Sequence, residues 1–350
     1  MPISFSSLSD LLSHGFDSVI DVRSPAEFAI DHIPGAINMP AMSNEERARV
    51  GTIYKQVSPF DARKIGAAIV ARNVAGHLDC ALADKPGSWR PLVYCWRGGQ
   101  RSGSVATILS QIGWRTDTIA GGYQSFRRLV HGAVYETPLQ ARVVLLDGYT
   151  GTAKTETLLR LAERGVQVID LEGLARHRGS MLGGMAEAQP DQKAFETGIA
   201  SILARIDPTR PILIEAESNK IGRRTIPPSL WAAMCIAPRI EIAAPVAARG
   251  RYLARAYAEV TANADRLVRL MTPLRAFRGH EVVDGWIARL TAGDHEGLAR
   301  AMIEQHYDPA YAKSRSVHAP VTVASLQSDS LEPGDLDQLA DRIEVVMRGM

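Results

Sequence analysis

The chain has 350 residues, 46% of them hydrophobic and 22% charged, and a net charge of +2. That length suits two domains of ~100–200 residues each, and the balance excludes a disordered, collagen-like or coiled-coil chain while arguing neither for nor against a nucleic-acid partner. No apolar run approaches the ~20 residues of a membrane span, and the three cysteines, Cys80, Cys95 and Cys235, cannot all pair and lack metal spacing. The expectation is a cytoplasmic protein with no membrane partner, no bound metal and free thiols.

In chain order, Ser18–Asp21 is a short apolar strand ending in an acid, and Pro25–Ile30 opens as a helix with proline suited to its first turn. A polar, mostly helical insertion follows from about Ser43 to Asp84, closed by the turn residues Lys85-Pro86-Gly87-Ser88. It is a candidate lid or inter-domain contact. Pro91–Tyr94 is a second strand, and Arg101–Ile112 a helix with Val105, Ile108, Leu109 and Ile112 on one face. Thr116–Ile119 reads as a strand, Gly121-Gly122 as a turn and Tyr123–Val130 as a helix. His131–Gln140 has no periodicity and contains Pro138, which places a boundary between domains 1–135 and 136–350.

A second alternation then begins: strand Ala141–Asp147, helix Lys154–Arg164, and strands Val166–Ile169, Ile212–Glu215 and Ile240–Ala243. Apolar strands separated by helices predict a parallel sheet covered on both faces. From Pro245 to His306 the pattern is helical and rich in arginine, and Leu336–Met347 is a last amphipathic helix, so residues 245–350 are expected to form a helical subdomain. The fold class is α/β throughout.

Two segments carry chemistry. In Tyr94-Cys95-Trp96-Arg97-Gly98-Gly99-Gln100-Arg101-Ser102 a cysteine follows a buried strand and precedes a helix. Gly98 and Gly99 allow the loop to curl so that amides point inward, the helix N-terminus adds positive potential, and Arg97 and Arg101 add charge. A thiolate with a lowered pKa and an anionic substrate such as thiosulfate, phosphate or selenophosphate fit such a loop. The competing reading, a small buried core cysteine, suits Cys80 and Cys235 better. Asp21-Val22-Arg23-Ser24-Pro25-Ala26-Glu27-Phe28 and His32-Ile33-Pro34-Gly35-Ala36-Ile37-Asn38, with Cys95–Arg101, resemble the rhodanese family, which implies that Cys95 carries sulfur or selenium. A cysteine phosphatase has a loop of the same shape, and the N-terminal signature separates the two. Asp21 and Arg23 fit either a site role or an ion pair at a strand end.

In Asp147-Gly148-Tyr149-Thr150-Gly151-Thr152-Ala153-Lys154-Thr155 a glycine-containing turn joins an apolar strand to a helix, the context of a P-loop. Its amides and Lys154 would cradle a diphosphate together with Gly148 and Gly151, and Thr155 is a candidate magnesium ligand. Ala153 stands where the Walker pattern has glycine, so a left-handed backbone there is costly, and phosphate binding is expected more readily than ATP hydrolysis. Later strand ends and loops supply candidate pocket residues: Asp170, Glu172, His177, Arg178 and Ser180; Gln189–Glu196; Glu215, Glu217 and Ser218. Helix caps and surface polarity explain each of these equally well, and His177 alone is more simply a structural hydrogen-bonder.

A rhodanese-like domain followed by a P-loop domain with these segments and His306-Tyr307-Asp308-Pro309-Ala310-Tyr311 resembles the bacterial tRNA 2-selenouridine synthase family. The resemblance implies replacement of sulfur by selenium at C2 of wobble 2-thiouridine through an S-geranyl intermediate, with geranyl diphosphate and selenophosphate as substrates and no tightly bound cofactor. It assigns the selenium step to Cys95 and the prenyl diphosphate to the P-loop, and makes selenophosphate synthase a candidate partner. Candidate tRNA contacts are Arg223 and Arg224 and the subdomain arginines Arg249, Arg251, Arg255, Arg266, Arg269, Arg275 and Arg278, against the alternative that they are solvated or paired. Two rivals remain: a sulfurtransferase coupled to a nucleotide-dependent P-loop switch, and a non-enzymatic nucleotide-binding module that senses redox state through Cys95.

Overall fold

A computed structural model describes residues 2–180, 182–185, 187–312 and 321–350. The chain divides into two units, Met1–Thr137 with Pro190–Arg205, and Pro138–Gln189 with Ile206–Met350.

The first unit is built on a five-stranded parallel sheet in the order Pro2–Ile3, Asp117–Ile119, Pro91–Tyr94, Ser18–Asp21, Ile37–Asn38. Its central strand Pro91–Tyr94 is buried at every position, as an apolar run covered on both faces must be. Helix Gln100–Ile112 lays Val105 and Leu109 into a core with Ile20, Val93, Ile69 and Val74. The insertion folds as two helices, Asn44–Gln56 and Pro59–Asp79. Ser43 with Glu46 forms a capping box on the first, and Ser58 caps the second ahead of Pro59. Helix Gln192–Leu203, which the sequence neighbours on both sides leave to the other unit, packs here on helices Leu8–Leu12 and Gly122–His131. Phe195 and Ile199 are fully buried in that contact.

The second unit has a five-stranded parallel sheet in the order Thr322–Gln327, Arg239–Ala243, Val143–Asp147, Ile212–Glu215, Val168–Ile169. Helix Lys154–Glu163 lies on it, and helix Pro333–Arg348 packs against that helix through Leu336, Leu339, Ala340, Ile343 and Met347, a 3.6-residue stripe. Residues after 320 therefore complete the phosphate-loop layer as well as adding a helix. The helical subdomain proper has its own core around Trp286, Leu267, Met271, Val283 and Met302. Among the described residues no helix is long and apolar enough to cross a membrane.

Candidate functional site

Cys95 directly follows the buried strand Pro91–Tyr94 of the first unit and is itself 3% exposed. Its loop lies directly on the Gly121-Gly122 turn: Tyr123 N–H donates to the Cys95 carbonyl at 2.8 Å and Gln124 N–H to the Trp96 carbonyl at 3.1 Å. That contact leaves no room for side chains. A Cβ on Gly122, at φ 55°, would stand 2.3 Å from the Cys95 oxygen, and one on Gly98, at φ 64°, 2.5 Å from the Ile119 oxygen. Gly99 has open space around it and flanks the N-terminus of helix Gln100–Ile112.

The sulfur of Cys95 is 3.2 Å from the Ser102 hydroxyl. Burial pushes the thiol up, but the Ser102 hydroxyl and amide, the Arg101 charge and the Gly99 amide together outweigh it and hold Cys95 below the ordinary thiol value. Arg101 is tied to Glu27 at 3.0 Å, and the same carboxylate oxygen takes Arg47 at 3.0 Å. Arg97 is exposed and makes no ion pair among the described residues. Asp21 and Arg23 are 0% and 1% exposed and paired at 2.6 Å, with the Arg23 guanidinium stacked 3.9 Å from the Tyr123 ring centroid and donating to the Asp31 carbonyl. They brace the loop's platform from within and do not face an open site. The sequence reading includes Gly122 as a turn glycine, Glu27 in the N-terminal signature and Ser102 at the end of the cysteine segment, but gives none of them a part in setting the thiol; Glu27 also closes the Ser24 capping box.

In the second unit the strand Val143–Asp147 feeds the loop Gly148–Ala153 and helix Lys154–Glu163. Ala153 adopts the left-handed conformation, φ 57° and ψ 31°, 3% exposed within the core. The expected cost, ~1–2 kcal/mol, is thus incurred, offset by packing around its methyl group. Gly148 and Gly151 also have positive φ, and a Cβ on either would meet Ile242 O at 2.6 Å or Leu253 Cγ at 3.0 Å. Lys154 Nζ folds back to donate to the Gly148 carbonyl at 2.7 Å, and Thr155 Oγ1 donates to Glu172 at 2.9 Å.

Glu172, Glu215 and Glu217 come together behind Thr155. Glu215 accepts the Glu172 amide at 2.7 Å, and a Cβ on Gly179 would be 2.7 Å from a Glu217 oxygen and 2.9 Å from a Glu172 oxygen. Burial, then mutual repulsion, pushes Glu217 up to about 8 against the opposing pull of Lys154, and burial pushes Glu172 and Glu215 up as well. Among the described residues no three His, Cys, Asp or Glu side chains converge as metal ligands. A hydroxyl from Thr155 and a carboxylate from Glu172 do supply the small donor set that magnesium takes when it is bound mainly through substrate phosphates.

The other candidates separate. Asp170 caps helix Leu171–Ala175 through Gly173 N–H, and the Ser218 hydroxyl closes a turn on the Lys220 carbonyl. His177 is half-buried with its pKa lowered by burial, and Arg178 stacks 4.6 Å from the Tyr257 centroid, whose hydroxyl, like that of Tyr307, faces Ser180. Gln189 bonds Ala175, Ile221 and Arg223 in this unit, whereas Phe195 and Glu196 belong to the first unit, where Glu196 holds Arg127 and Tyr135. Of the arginines, Arg223, Arg251, Arg266 and Arg269 are exposed and Arg224 is half-buried. Arg255, Arg275 and Arg278 bond Glu332, Asp284 and His306, and Arg249 departs most from a surface role: 4% exposed, it clamps Asp308 and the Thr150 carbonyl.

Beside the phosphate loop the second unit opens an apolar cavity to which Thr150, Leu253, Tyr257, Leu267, Leu298 and Met302 contribute. Motif spacing carries no sign of this cavity, because its walls come from helices far along the chain.

Residues 4–129 match the rhodanese-like domain family, and residues 141–278 match the family described as tRNA 2-selenouridine synthase AAA domain. Among curated relatives, a tRNA 2-selenouridine synthase of Hahella chejuensis is 33% identical over 84% of this chain and 84% of its own length. One of Pseudomonas putida is 31% identical over 86% and 88%, and one of Aeromonas salmonicida 35% identical over 71% and 67%.

Proposed function

This chain belongs to the tRNA 2-selenouridine synthase family, and from that membership we propose that it is an enzyme acting on tRNA, exchanging sulfur for selenium at C2 of wobble 2-thiouridine through an S-geranyl intermediate. The observation that carries the prenyl step is the apolar cavity abutting the phosphate loop at Thr150 and Leu253. Hydrocarbon suits such walls, whereas a nucleoside would leave its polar edges unpaired there.

In the first step the loop amides and Lys154 hold the diphosphate while the geranyl chain occupies the cavity. The prenyl C1 bonds to S2 of the base as its bond to the diphosphate oxygen breaks, the N3 proton is released, and the charge on departing pyrophosphate is stabilised by Lys154 and the helix N-terminus. A magnesium ion arriving with the diphosphate would be held by Thr155 and Glu172 and would add to that neutralisation. Alkylation turns sulfur into a leaving group. In the second step selenium from selenophosphate bonds to C2, its phosphoryl group is lost to water, and the geranyl thiolate departs. Cys95, with Arg97, Arg101 and the amides of Gly98 and Gly99, is assigned to this selenium step, and selenophosphate synthase is the corresponding donor partner.

Calorimetric titration tests the first step. Burying even five carbons contributes ~4 kcal/mol at ~0.8 kcal/mol each, so geranyl diphosphate should bind roughly a thousandfold more tightly than inorganic pyrophosphate. Leu298→Trp, which fills the cavity, should remove that difference and leave pyrophosphate binding intact. Equal affinities in the unaltered protein would overturn the prenyl assignment. One observation favours the alternative of a sulfurtransferase with a nucleotide-dependent switch: Ala153 does adopt the left-handed turn of an ordinary nucleotide loop. ATP turnover without tRNA would carry that reading.

A further inference from the structure

The helical hairpin inserted in the first unit has a well-packed base and an unsatisfied tip. At the base, Ala62, Ile69, Val70 and Val74 are buried, and Gly66 faces Met42, just ahead of the first helix, and Val50 on it: a Cβ at Gly66 would stand 3.1 Å from Met42 Cε and 3.5 Å from Val50 Cγ1. At the turn between the helices the pattern reverses: Tyr54, Val57 and Phe60 are 52%, 74% and 67% exposed. These bulky side chains contribute nothing to the core. Around them stand Arg49, Lys55, Arg63 and Lys64, all exposed and in no ion pair among the described residues, against one acid, Asp61, within residues 49–64. Phe60, Arg63 and Lys64, at i, i+3 and i+4, share one helix face.

We propose that this hairpin tip binds the unpaired loop of an RNA, with Tyr54 and Phe60 stacking on splayed bases and Lys55, Arg63 and Lys64 contacting the adjoining phosphates. Planar rings interleaved with unpaired cations are what base stacking beside a phosphate backbone requires, and the charge complementarity singles out RNA over an apolar protein partner. The hairpin is also fastened to the reactive loop. Arg47, on its first helix, shares one Glu27 oxygen with Arg101, each at 3.0 Å. An RNA loop held at the tip would thus be held by the unit that carries Cys95. The inference rests on the reading that this chain acts on tRNA, and adds the surface that receives it.

The test is fluorescence anisotropy of the full chain with an anticodon stem-loop RNA and, separately, a fully paired duplex, over a range of salt concentrations. Tyr54→Ala with Phe60→Ala should weaken stem-loop binding about tenfold or more and leave duplex binding and salt dependence unchanged. Lys55→Gln, Arg63→Gln and Lys64→Gln together should weaken both RNAs and flatten the salt dependence. All five positions are exposed, so the variants should melt as the unaltered protein does. Stem-loop binding by the unaltered protein that neither variant weakens would overturn the hairpin assignment while leaving the tRNA reading standing. No binding by the unaltered protein would remove both. A change in sedimentation of the aromatic variant with unchanged RNA affinity would make the tip a self-association surface, and would likewise overturn the proposal.

Discussion

Replacing Ser102 by alanine removes one oxygen atom, 3.2 Å from the Cys95 sulfur, from a fully buried residue in the first turn of its helix. A hydrogen bond to a charged group contributes ~1.5–3 kcal/mol, so at the lower bound the thiolate population at pH values below the thiol's titration midpoint falls roughly tenfold. The more basic thiolate that remains is a better nucleophile, and a Brønsted coefficient of about 0.4–0.5 returns roughly threefold. Alkylation of Cys95 by iodoacetamide should therefore slow about threefold on the acid limb of its pH profile, its alkaline plateau should rise about threefold, and the midpoint between them should move upward. Arg101→Met should do less, because Glu27 already takes up that charge at 3.0 Å. An unchanged pH profile for Ser102→Ala, with native melting behaviour, would refute the assignment of Ser102 as the principal stabiliser of the thiolate.

Asp21→Asn leaves the buried Arg23 guanidinium without its counter-charge and should cost about 3–5 kcal/mol, a fall on the order of 10 °C in the melting temperature of the first unit; a change under about 2 °C would contradict the bracing role. Ala153→Gly relieves ~1–2 kcal/mol of left-handed strain but loses a buried methyl worth ~0.8 kcal/mol and loosens the unfolded chain, so its urea midpoint should barely move, whereas Ala153→Val should unfold at clearly lower urea. Glu217, with its pKa pushed up to about 8, is neutral in the fold where the unfolded chain is ionised, so its contribution is full below the ordinary carboxyl range and is lost as pH rises through about 8. Glu217→Gln should accordingly flatten the decline in unfolding free energy between about pH 5 and 8, and an identical slope in both proteins would show that Glu217 does not hold the proton.

The buried strands were legible because a strand covered on both faces has to be an apolar run: Ser18–Asp21, Pro91–Tyr94 and Ile212–Glu215 stand where the residue pattern puts them, and Val143–Asp147 begins two residues inside the expected Ala141–Asp147. The edges were not. Pro2–Ile3 and Ile37–Asn38 are too short to show a period, and Thr322–Gln327, mostly exposed, owes its strand conformation to pairing with Arg239–Ala243. Both loops were legible from glycine, cysteine and lysine spacing within about nine residues. What tunes them comes from far along the chain, and local pattern marks it at most as a position and never as a partner: Glu27 reads as a cap and Glu215 and Glu217 as residues after a strand, but nothing near them points to Arg101 or Thr155, nor near Arg249 to the Thr150 carbonyl, and the cavity wall from Leu253 to Met302 has no motif. Ala153 shows the opposite case, a local rule against left-handed alanine overridden by the packing around it.

The most direct test of the proposed chemistry is nucleoside mass spectrometry on a 2-thiouridine-containing anticodon stem-loop, incubated with the full chain and geranyl diphosphate and then with selenophosphate, without ATP. The expected result is a gain of the prenyl mass followed by conversion to 2-selenouridine, with Lys154→Ala blocking the first change and Cys95→Ala only the second. No mass change in either step with folded protein, or loss of both steps alike in the two variants, would contradict the assignment of prenyl transfer to the phosphate loop and selenium transfer to Cys95.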